Sequence, residues 1–194
     1  LENIPFNKYF FNELHSRLFK YAQSSKEEIE WLQDPEHCRR GGKDDFIEFV
    51  PGQYRKTQNA LMHAKFTTDS VEDIYMNISN IYYDAEYLLN NKDNYSNVEY
   101  INRVNNLVHR FCVCHPFDDG NGRVARLFMN YMFVKNDLPP VYINASKQRQ
   151  PYIKALIELS DSCRNTLYEK IDYSKLNSII MDCMLETECL FYPT

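Results

Sequence analysis

The residues with the clearest chemical potential lie in one stretch, 115–126, which reads HPFDDGNGRVAR. Within it, Gly120, Asn121 and Gly122 are residue types that tolerate left-handed backbone conformations, and they lead directly into a predicted helix. A turn of this kind directs backbone N–H groups into a concave site that suits an anion. The stretch therefore predicts a phosphate-binding loop.

Two arginines extend this loop into the first turn of the helix. Arg123 and Arg126 are three residues apart and so occupy neighbouring positions on the helix surface. Positive side chains at the positive end of a helix dipole are unfavourable unless an anion such as phosphate compensates them. The alternative is that Asp118 and Asp119 cap the helix and neutralise the arginines, which leaves a surface loop without a ligand. In the first interpretation Asp119 is also placed to hold Mg²⁺, because that ion takes one or two carboxylates together with phosphate oxygens and water.

His115 ends the predicted helix that precedes the loop and faces the same site. A neutral imidazole at this position can take a proton from an incoming hydroxyl group. The simpler alternative is a packed or capping histidine, and the local pattern leaves both open. Phe117 is most simply an apolar residue that fixes the loop to the core.

The full stretch matches a known pattern: His, any, Phe, any, Asp or Glu, Gly, Asn, Gly, Arg, any, any, Arg. All eight constrained positions are satisfied within twelve residues, which is far more specific than a lone glycine-rich loop. The chain therefore resembles the Fic family, over about Phe6 to Leu159. Residues 14–19 are similar to the family's first helix, and residues 52–58 are similar to the lead-in to its flap hairpin. The resemblance implies an all-α fold, a helical bundle with a small β-hairpin flap.

The resemblance also implies an activity, that of a protein adenylyltransferase, which transfers AMP from its co-substrate ATP to a Ser, Thr or Tyr hydroxyl of a target protein. It makes His115 the general base and Asp119 the Mg²⁺ ligand. The flap, at about 59–66, is expected to hold the target segment in extended form. The residues that the resemblance implies for nucleotide binding are Gly120, Asn121, Gly122, Arg123, Arg126, Tyr152, Leu61 and Met62.

Other activities within the family stay open at this point. A related branch carries Lys in place of the second glycine and transfers the γ-phosphate, so Gly122 favours AMP transfer instead. The motif does not exclude removal of AMP or transfer of another phosphate-containing group. It also allows a catalytically silent Fic-like module that only binds nucleotide or protein.

Many members of the family are restrained by an inhibitory helix with Ser or Thr, then Glu four residues later, then Gly or Asn. Ser24 and Glu28 have the Ser-to-Glu spacing but lack the residue that should follow, and Ser178 with Asp182 is a poorer match. We therefore expect the restraint upstream of the first residue or on a separate, antitoxin-like protein.

Composition sets the wider limits. The 194 residues are 44% hydrophobic and carry a net charge of −5 with acids and bases interspersed, which fits a folded domain and argues against nucleic acid as a partner. No apolar run approaches the ~20 residues of a membrane-spanning helix. Six scattered cysteines do not suggest a disulfide framework, so we expect reduced thiols in a cytoplasmic protein. Cys112 and Cys114 are two apart on a predicted helix and so do not converge on a zinc ion.

Apolar spacing predicts helices over most of the chain. We expect a single domain, 1–194, with a core at about 6–160 and a C-terminal helical extension at about 161–194. The sequence predicts a short strand at 46–50, and Val98 is expected on the inner face of its helix. The predicted helices span about 6–22, 25–31, 70–88, 97–115, 122–136, 150–160, 162–170 and 173–190.

Overall fold

The computed structural model describes residues 4–21, 49–58, 67–162 and 170–191. This part of the chain folds into six α-helices and contains no β-strand, so the all-α prediction is confirmed. None of these helices has the length and apolar character needed to cross a membrane. The helices are α1 (Phe10–Tyr21), α2 (Ile74–Asn90), α3 (Asn97–Cys114), α4 (Asn121–Lys135), α5 (Arg149–Ser162) and α6 (Ser174–Phe191), with a 3₁₀ turn at Lys92–Asn94.

Several predicted elements fall outside the described residues. Phe49 and Val50, at the end of the predicted strand, are not in a strand, and neither is the flap lead-in at 52–58. The β-hairpin flap therefore stays a prediction. The elements wholly or mostly outside the described ranges are those at 25–31, 46–50, 59–66 and 162–170.

The central helix is α3, and it carries the candidate base at its end. It contacts α2, α4, α5 and α6, and residues on several sides of it are buried, as expected of a helix surrounded by others. Its start is fixed by a capping box in which the Ser96 hydroxyl accepts from the Glu99 N–H and the Glu99 carboxylate accepts from the Ser96 N–H. A helix held at its start and along its length fixes the position of its last residue, Cys114.

Aromatic rings pack α1 along α4. Phe10 and Phe11 of α1 lie 6.2 and 4.9 Å from the Phe128 ring of α4, and Phe10 lies 4.8 Å from the Tyr131 ring. Tilted and edge-to-face pairs of this kind add about 0.5–1.5 kcal/mol each to the stabilisation from burial. This packing brings His15, one turn beyond Phe11, against the loop that precedes α4.

One predicted core position is wrong. The apolar spacing places Val98 in the core, but it is 58% exposed. Val98 lies in the first turn of α3, where it lines a cleft of about 780 Å³ together with Tyr95 and Glu99. Periodicity identifies the face of a helix but not how far along the helix its neighbours extend, so a terminal turn can lie outside the packed region.

The C-terminal part of the chain joins the same core. Tyr173, Leu176 and Ile180 are buried in the cluster that includes α3. The buried ring of His109, on α3, links α3 to both C-terminal helices. Its Nδ1 lies 2.9 Å from the hydroxyl of Tyr173, which directly precedes α6, and its Nε2 lies 2.9 Å from the hydroxyl of Ser160 in α5. These contacts attach α5 and α6 to α3, while the boundary predicted at about 161 stays a prediction.

Candidate active site

His115 ends α3 in a left-handed backbone conformation, with φ 48° and ψ 58°. Its N–H bonds to the Phe111 carbonyl at 3.0 Å, and its ring Nδ1 lies 3.4 Å from the Cys112 carbonyl oxygen, which is a long hydrogen bond. With the proton on Nδ1, Nε2 keeps its lone pair. A left-handed residue with a side chain is disfavoured by roughly 1–2 kcal/mol, so the surroundings must hold His115 in this state.

Arg55 binds the same end of α3 and is 1% exposed. Its Nε donates to the His115 carbonyl at 2.8 Å, and its Nη2 donates to the Cys114 carbonyl at 3.2 Å. Its backbone N–H donates to the Pro116 carbonyl at 2.8 Å. The lead-in at 52–58 is therefore bonded to the first residues of the loop through Arg55.

The Asn121 side chain closes the loop. Its Oδ1 accepts from the Phe117 N–H at 2.9 Å, and its Nδ2 donates to the Phe117 carbonyl at 2.7 Å. Phe117 is fully buried, which fits its expected role of fixing the loop to the core. Asn121 is the first residue of α4, and within 120–122 only Gly120 has a left-handed backbone. Asn121 therefore shapes the loop through the hydrogen bonds of its side-chain amide and not through a left-handed backbone.

His15 of α1 links the loop to Gly52. The Gly52 N–H donates to Nδ1 of His15 at 2.7 Å, so Nε2 carries the proton and donates to the Asp119 carbonyl at 3.0 Å. The His15 ring also stacks on Phe117 with ring centroids 3.9 Å apart. Burial lowers the pKa of His15 to about 4, the bond to Asp119 opposes this change, and the Arg123 charge adds to it. The ring is therefore neutral, as its two hydrogen bonds require.

The start of α4 leaves backbone N–H groups open. Gly120 precedes the helix with φ 76°, and its carbonyl accepts from the N–H groups of Arg123 and Val124 at 3.0 and 2.9 Å. Within the described ranges, the N–H groups of Gly120, Asn121 and Gly122 have no acceptor. Open N–H groups at a helix start, preceded by a left-handed residue, form the kind of concavity that binds anions.

The two arginines of α4 differ in their partners. Arg123 Nη2 bonds to Asp119 Oδ2 at 3.0 Å, and its guanidinium lies 4.9 Å from the centre of the Phe19 ring. Arg126 has no hydrogen-bond or ion-pair partner in the part of the chain that the structure describes. It folds toward the start of α4, since a β-carbon placed on Gly122 would lie 3.5 Å from its Nη1. Neutralisation by the loop acids therefore applies to Arg123 and not to Arg126.

Tyr152 of α5 is buried close to Arg126. It is 3% exposed, and its hydroxyl has no hydrogen-bond partner among the described residues. Burial, followed by the Cys112 thiol, raises the pKa of Tyr152, and the Arg126 guanidinium acts in the opposite direction. A buried hydroxyl without a partner costs about 1–3 kcal/mol. A polar ligand beside Arg126 would relieve that cost.

Asp119 carries the carboxylate that the sequence predicts as a metal ligand. Its side chain is 42% exposed and is held by Arg123. The described residues contain no group of three or more His, Cys, Asp or Glu that could hold a metal ion. Mg²⁺ takes one or two protein carboxylates and completes its shell with phosphate oxygens and water. A single reachable carboxylate next to open N–H groups thus fits an Mg²⁺ ion that arrives with a nucleotide.

The two cysteines near the end of α3 are not metal ligands in this state. Burial raises the pKa of Cys112 and of Cys114 to about 12, so both stay as neutral thiols.

The sequence pattern does not single out His15 or Arg55 as site residues. A signal for His15 exists, because it lies in an i, i+4 stripe between Phe11 and Phe19 that is buried throughout. No comparable signal marks Arg55, since arginine is rarely buried. Two of the predicted nucleotide-binding residues, Leu61 and Met62, lie outside the described ranges.

Fold and loop together define a class of protein, an all-α bundle whose central helix is capped by a histidine and is followed, at the start of the next helix, by a turn with N–H groups that lack acceptors among the described residues. The model of the Fic/DOC family matches residues 5–133, which is more than half of the chain. The chain belongs to the Fic/DOC family.

Individual relatives agree with this result. A probable protein adenylyltransferase of Aquifex aeolicus (strain VF5) is 32% identical over 136 residues, which are 68% of this chain and 39% of that relative. Protein adenylyltransferase fic-1 of Caenorhabditis elegans is 29% identical over 116 residues, which are 60% of this chain and 21% of that relative. The chain therefore spans well under half the length of these two relatives.

A solved structure supports the fold. It is a Fic domain containing signaling protein from Bacteroides thetaiotaomicron, and it superposes with a TM-score of 0.59 at 18% identity. The match covers 94% of this chain and 69% of the other. At this identity the likeness concerns the fold alone.

Proposed function

We propose that this protein is a protein adenylyltransferase, which transfers AMP from ATP to a Ser, Thr or Tyr hydroxyl of a target protein. The observation that carries the proposal is the open start of α4, where three N–H groups lack acceptors and Arg126 lacks a counter-ion among the described residues. An anion satisfies groups in this state. Relatives named as adenylyltransferases favour ATP as the source of that anion.

In this proposal the triphosphate lies at the start of α4. The N–H groups of residues 120–122 bind the α- and β-phosphates, and Arg123 and Arg126 bind the polyphosphate, with Arg126 nearest the γ-phosphate. Support comes from the hydroxyl of Tyr152 beside Arg126, which has no hydrogen-bond partner among the described residues and which we take as a nucleotide contact. Leu61 and Met62 complete the proposed nucleotide contacts. An inhibitory helix or antitoxin-like protein would meet the same Arg126.

Asp119 is the proposed holder of Mg²⁺. Its ion pair with Arg123 orients the carboxylate at the edge of the open N–H groups. When bound, Mg²⁺ supplies neutralisation of phosphate charge. Arg123 and Arg126 contribute to the same end, because nucleotidyl transfer depends on charge neutralisation and in-line positioning more than on covalent help.

His115 is the proposed general base. Nε2 accepts the proton of the target hydroxyl while the hydroxyl oxygen forms a bond to the α-phosphorus. The bond from that phosphorus to the oxygen bridging to the β-phosphate breaks, and diphosphate leaves. The contact of Nδ1 with the Cys112 carbonyl supports this assignment, because it favours the tautomer with a lone pair on Nε2.

The acceptor is proposed to be a target segment that pairs in extended form with the flap at 59–66. Gly122 favours AMP over γ-phosphate as the transferred group. Gly122 is exposed. Among the described residues outside its own helix backbone, a β-carbon placed on it would meet only Nη1 of Arg126, at 3.5 Å. That space leaves room for a phosphate to approach the backbone.

The test is to incubate the purified protein with a cell lysate, Mg²⁺ and ATP labelled at either the α- or the γ-phosphorus. We expect label on one or more proteins from α-labelled ATP only. Substitution His115→Ala should lower the labelling rate by about 10²–10⁴-fold, the usual contribution of a general base. Calorimetry should show that this variant still binds ATP, because its open N–H groups and arginines are intact.

Each other outcome points to a different conclusion. Label from γ-labelled ATP would indicate a kinase. Tight ATP binding without any transfer by the wild type would indicate a catalytically silent binding module. Undiminished transfer by His115→Ala would show that the base has been misassigned. Mass spectrometry of the labelled protein then identifies the added group and the modified residue.

A further inference from the structure

The last carbonyl groups of a helix have no partner within the helix, and those of α3 are bound by two other segments. The Val113 carbonyl accepts from the Asp69 N–H at 3.3 Å. The Cys114 and His115 carbonyls accept from the Arg55 guanidinium at 3.2 and 2.8 Å. Arg55 therefore supplies the donors for the two residues at the point where the helix ends.

The partners of the Arg55 guanidinium are all carbonyl oxygens. Besides the end of α3, its Nη1 donates to the Thr57 carbonyl at 2.9 Å, and its Nη2 donates to the Asp69 carbonyl. No carboxylate lies within ion-pair distance of it in the described part of the chain. A buried cation needs compensation, and the negative end of the α3 dipole contributes to it here together with the nearby carboxylates of Asp118, Asp69 and Glu72. Arg55 and α3 thus stabilise each other.

We propose that Arg55 is a positioning residue for the transfer reaction, because it holds the His115 backbone in its left-handed conformation and so fixes where the imidazole points. This inference rests on the proposed role of His115 as base. His115 has φ 48°, and a residue with a side chain keeps such a conformation only where its surroundings determine it. Two bonds do so, from Arg55 Nε to the His115 carbonyl and from the Arg55 N–H to the Pro116 carbonyl. We call these two bonds the Arg55 clamp.

The Arg55 clamp should affect the rate of AMP transfer and not the affinity for ATP. It acts on the end of α3, whereas the proposed phosphate site is built from the start of α4. A displacement of about 1 Å at a reacting group lowers rates by roughly 100-fold. Loosening the clamp should therefore slow the transfer step while the affinity for ATP is kept.

The decisive variant is Arg55→Lys, which keeps the positive charge but replaces a planar fork of five N–H donors by a single ammonium group. We expect kcat to fall by roughly 100-fold while KM for ATP changes by less than about two-fold. Calorimetry should find an unchanged number of ATP sites per chain, which distinguishes mispositioning from loss of folded protein. The matched control is Arg110→Lys, because Arg110 also lies on α3 but binds the Asp84 carboxylate at 2.6 Å; it should keep wild-type turnover.

Two results would overturn the inference. One is wild-type kcat in a folded Arg55→Lys variant. The other is a loss of ATP sites in proportion to the loss of kcat, which would make Arg55 a residue of the fold only. If the wild type itself transfers no AMP, the proposed function fails, and the clamp is then tested separately.

That separate test is hydrogen exchange on the wild-type protein, which also decides the case in which Arg55→Lys does not fold. The Arg55 N–H, bonded to the Pro116 carbonyl, should be protected as strongly as the amides within α3. Exchange at the rate of an unstructured peptide would show that the clamp does not exist in solution.

Discussion

The two helix ends on either side of the loop at 115–120 are completed in opposite ways. At the end of α3, the carbonyl groups of residues 113–116 are all bound, mainly by Arg55. At the start of α4, the N–H groups of residues 120–122 lack acceptors within the described ranges, and Arg126 lacks a counter-ion there. Within the described residues the first end is complete, whereas the second keeps donors that have no acceptor.

This difference separates two tasks. In the proposed function a base must be held at a defined position, which agrees with a helix end fixed by bonds within the protein. The proposed phosphate site must offer donors that the protein itself does not use, which agrees with a helix start whose N–H groups lack acceptors among the described residues. The neutral ring of His15 links the segment that carries Arg55 to the loop before α4, by bridging the Gly52 N–H and the Asp119 carbonyl. Changes at the His15 bridge, at the glycines of the loop and at Arg126 should therefore have different effects on stability and on ATP affinity.

The largest effect should come from acid, which protonates the bridge. Burial lowers the pKa of His15 and of His109 to about 4, against 6.5 for an ordinary histidine. Between these values the unfolded chain binds more protons than the folded chain, so the free energy of unfolding falls as the pH decreases from 6.5 to 4. Each histidine accounts for about 3 kcal/mol of that loss. Urea unfolding at several pH values across this range measures it.

The variant His15→Gln isolates the contribution of the bridge. It removes one titrating ring, so the slope of unfolding free energy against pH near pH 5 should decrease by roughly 1 kcal/mol per pH unit. His109 should account for the remaining histidine slope. An unchanged slope would mean that His15 is already protonated in the folded protein and is not a neutral bridge.

The next largest effect on stability should come from an alanine substitution at Gly120, and the same substitution at Gly122 should behave differently. Gly120 has a positive φ, and a β-carbon there would lie 2.8 Å from the buried Phe19 ring. We expect Gly120→Ala to lower the free energy of unfolding by about 2–4 kcal/mol, from left-handed strain and steric overlap. Gly122 is helical and exposed, and its β-carbon would lie 3.5 Å from Arg126 Nη1. Gly122→Ala should therefore keep stability and lower ATP affinity only.

Urea unfolding and ATP calorimetry on both variants make this measurement. The pair is matched, since each variant adds a single methyl group to the same turn. A similar loss of stability in both would show that Gly122 is needed for the fold rather than for access to the backbone. Unchanged ATP affinity in Gly122→Ala would contradict the proposal that a phosphate approaches the backbone at Gly122.

Much of the architecture follows from apolar spacing. The helices predicted at 97–115 and 122–136 agree with α3 and α4 to within one residue at each end, because both have buried apolar residues at helical intervals and end at loops with Gly or Pro. The residue types of the loop also predict where an anion would bind. Apolar spacing does not determine how deeply each residue is buried. Val98 lies on the predicted face of its helix but is exposed.

The bonds that complete the loop depend on the folded chain and could not be predicted from local patterns. Arg55 binds a carbonyl 60 residues further along the chain, and the sequence around it does not distinguish it from a surface arginine. Asn121 is recognisable as a turn residue, but the two bonds of its amide to Phe117 require the loop geometry. Polar bridges between distant segments are properties of the tertiary structure.

The smallest effect concerns Arg126 and tests the open end most directly. We expect Arg126→Met, which keeps a long apolar side chain, to raise the free energy of unfolding without nucleotide by about 0.3–1 kcal/mol, because it removes a positive charge from the positive end of α4. The same change should lower ATP affinity. Saturating the wild type with ATP should therefore raise its Tm more than the same ATP concentration raises that of the variant.

Arg123→Met is the matched comparison for Arg126→Met. It loses the ion pair with Asp119 and the contact with the Phe19 ring, so it should not gain stability. If Arg126→Met instead loses stability, Arg126 has a partner within the fold, and the start of α4 is not open. A gain in stability together with a weaker response to ATP is the result expected of a charge that the protein keeps unpaired for a ligand, because function is then maintained at the expense of the ligand-free fold.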